Sequence, residues 1–132
     1  MSSARSVTRT VVRRLTRWGT ASVLVGGAFA FPRRTRGFGV QTLMWGAIDL
    51  ALAAVTRGRG EVPKTQTLRR ILLVNTVLDV GYVAAGAHLT VRTPTFGNRV
   101  RPADARGHGL AVVLQGAALF VIDLTAARRL RR

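Results

Sequence analysis

The chain has 132 residues, 48% of them hydrophobic, with 21 Lys and Arg against 5 Asp and Glu and a formal net charge of +16. That length allows one domain, and the absence of cysteine excludes a disulfide framework, a thiolate metal site and a cysteine nucleophile. Two histidines offer little for a metal centre. A charge of +16 would suit a nucleic-acid partner only if the cations formed a continuous basic face, so their placement decides the class.

The cations fall in five blocks, at 1–17, 33–36, 57–70, 92–106 and 128–132, and the stretches between them hold no Lys or Arg. Stretches 37–56, 71–91 and 107–127 have the length of a bilayer-spanning helix, roughly 20 residues. A soluble bundle would carry a polar stripe at 3.6-residue spacing on every helix, and these stretches carry none. The expected fold is therefore all-α, an integral membrane bundle of four transmembrane helices in a single domain 1–132. The spans are about 15–32, 37–56, 71–91 and 107–127, with an arginine-rich N-terminus 1–14 and a basic tail 128–132. Blocks 1–17, 57–70 and 128–132 hold 14 cations against 7 in the other two, which predicts that both termini are cytoplasmic in a multi-pass protein of the prokaryotic plasma membrane.

Taken in chain order, the first segment is the shortest, 14 residues from Trp18 to Phe31. Ala28-Phe29-Ala30 after a basic region resembles a signal-peptide cleavage site. A retained span is preferred, because Ser22, Gly26 and Ala30 at i, i+4, i+8 let another helix approach closely, while Arg17 and Arg33 reach to either side. Loop 57–70 carries Gly58, Gly60 and Pro63, with Thr65 and Thr67 as expected helix caps. Loop 92–106, with Pro94, Gly97, Asn98 and Pro102, is the longest connection and reads as an ordinary polar loop or an exposed recognition surface. A short match relates spans two and four. Arg36-Gly37-Phe38-Gly39 and Arg106-Gly107-His108-Gly109 are each followed by a further glycine, Gly46 and Gly116, then by Ile-Asp at 48–49 and 122–123. Glycine-rich matches this short also arise by chance.

Of the five acidic residues, Asp49, Asp79 and Asp123 lie inside spans two, three and four. An Asp at a helix centre costs about 2.5–3.5 kcal/mol to insert, against about 0.3–0.6 returned by each Leu, Ile, Phe or Val. Counted from Arg57, Arg70 and Arg128, all three fall in the cytoplasmic half, and two polar layers are expected, Asp49 with Asp79 and Asn75 with Asp123. Asn75, Asp79 and Tyr82 share one helical face, as do Gln41, Trp45 and Asp49, and Gln115 lies near the Gly109, Gly116 and Asp123 line of span four. These eight residues are the candidate polar core. With no Lys or Arg close by, at least one of Asp49 and Asp79 is expected to hold its proton and donate a hydrogen bond. His88 and His108 read as interfacial.

The residues from Gly37-Phe38-Gly39-Val40-Gln41 to Trp45-Gly46-Ala47-Ile48-Asp49 carry one further signal. Together with Asn75 to Leu78-Asp79-Val80-Gly81-Tyr82, Gly107-His108-Gly109, Gln115-Gly116 and Asp123-Leu124, they resemble a group of small prokaryotic four-helix integral membrane proteins of unknown function. The resemblance covers roughly 36–124; it implies a fold and a compartment, and no reaction.

No triad or dinucleotide loop is present: serines occur only at 2, 3, 6 and 22, and Gly37-Phe38-Gly39 lacks the third glycine. The expected role is non-enzymatic, without cofactor or metal. The buried acids would bind or conduct a proton, cation or small polar ligand. The competing reading is a structural or partner-binding membrane subunit whose polar residues only fix helix register, and a lipid-modifying enzyme comes third. The expected partners are the lipid bilayer, anionic lipid headgroups on the basic loops and other copies in a homo-oligomer, with no nucleic acid.

Overall fold

The computed structural model of the chain describes residues 3–94 and 100–130. Residues 95–99 of the proposed recognition loop, with Gly97 and Asn98, lie outside these residues. Four helices follow one another: α1 (Ala4–Ala30), α2 (Arg36–Arg59), α3 (Thr65–Arg92) and α4 (Pro102–Arg129), with a short 3-10 turn, Arg33–Thr35, between the first two. Among the described residues there is no strand.

Each helix runs past the apolar stretch that announced it, because backbone hydrogen bonding does not stop where hydropathy changes. The arginine-rich N-terminus ahead of the first expected span is helical from Ala4, where the Ser3 hydroxyl accepts from the Ser6 N–H at 3.1 Å. Pro32, which cannot continue a helix, follows its end, and the Thr35 hydroxyl takes up the freed Phe29 carbonyl at 2.7 Å. Gly60, at φ 71°, closes α2 in the left-handed conformation that glycine adopts without strain. The expected threonine caps of α3 are not used: Lys64 occupies the cap position and Thr65 is already helical. Pro102 opens α4, where its missing N–H costs nothing.

Helices α2 (counted from Arg33), α3 and α4 are long and apolar enough to cross a membrane. Helix α1 has the length, 27 residues, but carries five arginines in its first half.

The helices form two antiparallel hairpins whose seams are closed by glycine. A Cβ on Gly46 would lie 2.8 Å from the Gly19 carbonyl oxygen, and one on Gly86 would lie 2.7 Å from that of Gly109. The hairpins meet along α2 and α4, which run parallel: Gly37 abuts the backbone of Asp104 and Gly107 that of Phe38. Both termini and the α2–α3 loop thus share one end of the bundle. There the start of α1 docks through Val7 onto Leu72, Ala126, Ala127 and Leu130.

The two seams repeat. Gly46 packs on Gly19, Ser22 and Val23, and Gly116 on Asp79, Tyr82 and Val83; Gly26 meets Gly39 and Leu43, and Gly86 meets Gly109 and Val113; Gly39 meets Ala30, and Gly109 meets Thr90. Every α1 residue in these sets precedes its α3 counterpart by sixty positions, and every α2 residue its α4 counterpart by seventy. The match between spans two and four is thus one part of a repeated helical hairpin. The Ile-Asp pairs do not belong to it, since Asp49 corresponds to Leu119 and Asp123 to Ala53.

Burial is inverted relative to a water-soluble bundle. The largest fully buried side chains are Gln115, Val7 and Asp49, while Val77 is 71% exposed and Leu24 69%. Where a soluble protein buries its large aliphatic side chains, this one turns many of them outward and, apart from Val7, Val12, Leu72, Ile122 and Leu130, packs mainly Gly, Ala, Ser, Thr, Gln and Asp inside.

Candidate functional site

The acids gather on the side of the bundle where α2, α3 and α4 meet. Asp49 is 0% exposed and Asp79 2%, and neither Asp49 oxygen nor Asp79 Oδ2 has a hydrogen-bond donor in reach. The carboxyl groups of Asp79 and Asp123 come within hydrogen-bonding range of each other, and Asp49 is near enough to act on both electrostatically. The expected layers are thereby rearranged, Asp123 meeting Asp79 and not Asn75. Helical side chains lean toward their own N-terminus, and α3 and α4 are antiparallel, so the two carboxyl groups lean together although their backbones differ in depth. Asn75 is half-buried, one turn before Asp79 on α3.

Two carboxylates have four acceptors and no donor between them, so a hydrogen bond between Asp79 and Asp123 needs a proton on one of them. Among the described residues no group of three His, Cys, Asp or Glu side chains is placed to hold a metal ion. The cluster is thus a carboxyl pair with a third acid beside it.

Trp45 and Tyr82 cover the cluster on the side away from the termini. Their rings meet edge to face, with centroids 5.2 Å apart. Trp45 is one turn before Asp49, and Tyr82 one turn after Asp79. The remaining two candidates sit elsewhere. Gln41 lies further along α2, its Oε1 2.9 Å from His108 Nδ1, so that His108 joins α4 to α2. Gln115 belongs to the opposite side of the bundle: its Oε1 accepts from Trp18 Nε1 at 2.7 Å, and its Nε2 donates to Ser22 Oγ at 3.0 Å. Sequence reading took Trp18 as a boundary and Ser22 as a small packing residue. Their i, i+4 spacing beside a buried Gln was the available signal.

No curated protein and no solved structure matches the chain. A family model does match, over residues 14–124, from the middle of α1 to just past the last acid and so beyond the stretch in which the sequence resemblance was seen. The chain therefore belongs to the DUF6992 family, a family of unknown function.

Proposed function

We propose that the chain is an integral membrane protein with all four helices in the bilayer, and that Asp49, Asp79 and Asp123 form a proton-binding site within it. The inverted burial carries this reading. Unpartnered carboxyl oxygens at Asp49 and Asp79 are packed inside while Val77 and Leu24 face outward; in water the outer surface would be an aggregation liability, and in lipid it is the expected one. Acids at membrane depth usually mark proton or ion routes. A proton is favoured over a metal cation by the pairing of Asp79 with Asp123, and the Trp45–Tyr82 contact stands between the cluster and the far end of the bundle.

Both termini are on the cytoplasmic side of a prokaryotic plasma membrane in this reading, by the distribution of cations. Arg5, Arg9, Arg13 and Arg17, exposed along α1, are the contacts for anionic headgroups. Four helices enclose little volume, so a homo-oligomer completes the proposal, and no enzymatic reaction is part of it.

The purified chain in liposomes, under an imposed pH gradient, should dissipate that gradient faster than protein-free vesicles, and Asp79→Asn should abolish the difference. Infrared spectra should show a protonated-carboxyl band that Asp79→Asn or Asp123→Asn removes. If the band is absent and the Asn variants are as stable as the parent, the acids hold no proton and the structural-subunit reading replaces this one. A band without flux would mean a proton-binding site that does not conduct.

A further inference from the structure

The sixty-residue correspondence between α1 and α3 sets Arg9 against Arg69, Arg13 against Leu73, Arg17 against Val77 and Thr20 against Val80. In α3 the outward positions turn aliphatic once Arg69 and Arg70 are passed: Val77 is 71% exposed and Val80 54%. In α1 the same positions stay polar, and Arg13, Arg17 and Thr20 are all exposed. Two arginines therefore stand on the outer face of α1 where its own repeat carries side chains suited to lipid.

The α1–α2 seam gives their depth. Gly19 packs on Gly46, which is about 17 Å of helix rise from Arg57 near the end of α2. Counted back along α1 at the same rise, Arg9 comes level with Arg57, Arg13 lies about 8 Å deeper and Arg17 about 14 Å deeper, close to the level of Asp49. Long helical side chains lean toward the N-terminus, so the Arg13 guanidinium returns near the level of Arg9, while that of Arg17 reaches only the level of Arg13. No carboxylate of the chain waits for them there. Asp49, Asp79 and Asp123 are enclosed in the bundle, and the ion pair among the described residues joins Arg101 to Asp104 at the other end. A second copy would bring the same enclosed acids.

We propose that Arg13 and Arg17 bind the phosphate of one anionic phospholipid, from the leaflet at the terminal end, and hold it below the plane of its neighbours. A lipid-facing arginine is accommodated by snorkelling and by local thinning of the bilayer around it, and its planar fork matches phosphate oxygens. Residues four apart on a helix are neighbours on its surface, so the two forks can share one phosphate. Arg5 and Arg9 meet headgroups in the membrane plane, where salt screens the attraction; the deeper pair holds its phosphate away from bulk water, where screening is weak. Beyond Thr20, Leu24 returns the face to the lipid tails. This inference rests on the membrane reading and sharpens its headgroup contact from a diffuse attraction to one bound lipid. It is independent of proton binding by the acids.

The test reconstitutes the full chain into phosphatidylcholine bilayers with a trace of phosphatidylglycerol or phosphatidylcholine spin-labelled near the end of one acyl chain. A label at that depth is motionally restricted only beside protein inside the bilayer, so a restricted component with either lipid reports insertion itself. For the parent chain, phosphatidylglycerol should associate about fivefold more strongly than phosphatidylcholine, the effect of one cation near an anionic lipid. That preference should persist in 1 M salt, where the screening length is about 3 Å. Arg13→Leu with Arg17→Val installs the α3 residues and should leave only a preference that 1 M salt removes, whereas Arg5→Gln with Arg9→Gln should keep the salt-resistant part. Equal association of the two lipids, a preference that salt abolishes in the parent, or one unchanged in Arg13→Leu with Arg17→Val overturns the proposal and leaves the face to an acidic helix of another membrane protein. Absence of any restricted component would instead overturn the membrane reading, and this proposal with it.

Discussion

Asp79 and Gly81 are neighbours on α3, and with Gly86 they show how sharply single positions differ in this bundle. A Cβ on Gly86 would lie 2.7 Å from the Gly109 carbonyl oxygen and 2.8 Å from the Val113 nitrogen, both backbone atoms that can yield only if the helices part. At Gly81 a Cβ would meet nothing within 4 Å. Gly86→Ala is therefore expected to cost about 1–3 kcal/mol, in the range of overpacked interiors. Gly81→Ala should be neutral or stabilising by up to about 1 kcal/mol, through helix propensity alone. Thermal unfolding of the two variants in the same detergent separates the cases, and equal shifts would mean that the α3–α4 seam is not closed by glycine. The close-packing role of Ser22, Gly26 and Ala30 was legible in the sequence, because spacing alone puts them on one face. The pairing of Asp79 with Asp123 was not, since it depends on the rotation and lean of two antiparallel helices. Gln115 was misplaced for the same reason: a residue count gives depth, but it does not say toward which neighbour a side chain turns.

Helix α1 differs from the other three along its own length. Its first half sets Arg5, Arg9, Arg13 and Arg17 at i, i+4 spacing on an exposed face, while Val7, 1% exposed, docks into the cluster with Leu72 and Leu130. Further along, the Arg14 guanidinium donates to Thr125 Oγ1 at 2.9 Å and Trp18 to Gln115, so α1 is fastened to α4 at three levels as well as to α2. Val7→Asp would place an unpaired charge in the apolar cluster and should release the first turns of α1 without melting α2 to α4. Brief trypsin treatment should then cut at Arg5, Arg9 or Arg13 several-fold faster than in the parent chain, with the Trp18–Gln115 region still protected. Cleavage spreading through the whole chain would show instead that α1 is integral to one cooperative unit. The expectation of a short first span had a physical basis: the arginine stripe lowers the hydropathy of a continuous 27-residue helix, and hydropathy reports solvent, whereas the helix itself is set by Ser3 at one end and Pro32 at the other.

For the molecule as a whole, the repeated hairpins set the acids on one side against the Trp18, Gln115 and Ser22 hydrogen bonds on the other. Both halves keep the glycine seams, which fix the backbones, and differ in the larger side chains hung on them: Asp79 against Gly19, Asp49 against Leu119, Tyr82 and Trp45 against Ser22 and Gln115. Two hairpins of the same sense, with α2 and α4 parallel, require that both termini and the α2–α3 loop share one end and that the α3–α4 connection lies at the other. At that other end the start of α4 is tied to the turn after α1, since Arg101 donates through Nε to Asp104 Oδ2 at 2.8 Å and through Nη2 to the Arg33 carbonyl at 3.2 Å. Each end carries a suitable labelling position, Thr65 at the start of α3 and Thr93 just beyond its last turn. Because the chain has no cysteine, Thr65→Cys and Thr93→Cys each give a single thiol. With 14 of the cations at the terminal end and 7 at the other, a membrane-impermeant maleimide should label Thr93→Cys in intact cells and reach Thr65→Cys only after permeabilisation. The reverse pattern would invert the orientation and leave the fold intact. Labelling of both from the same side would mean that α3 does not cross the bilayer, and the membrane reading of the acid cluster would fall with it.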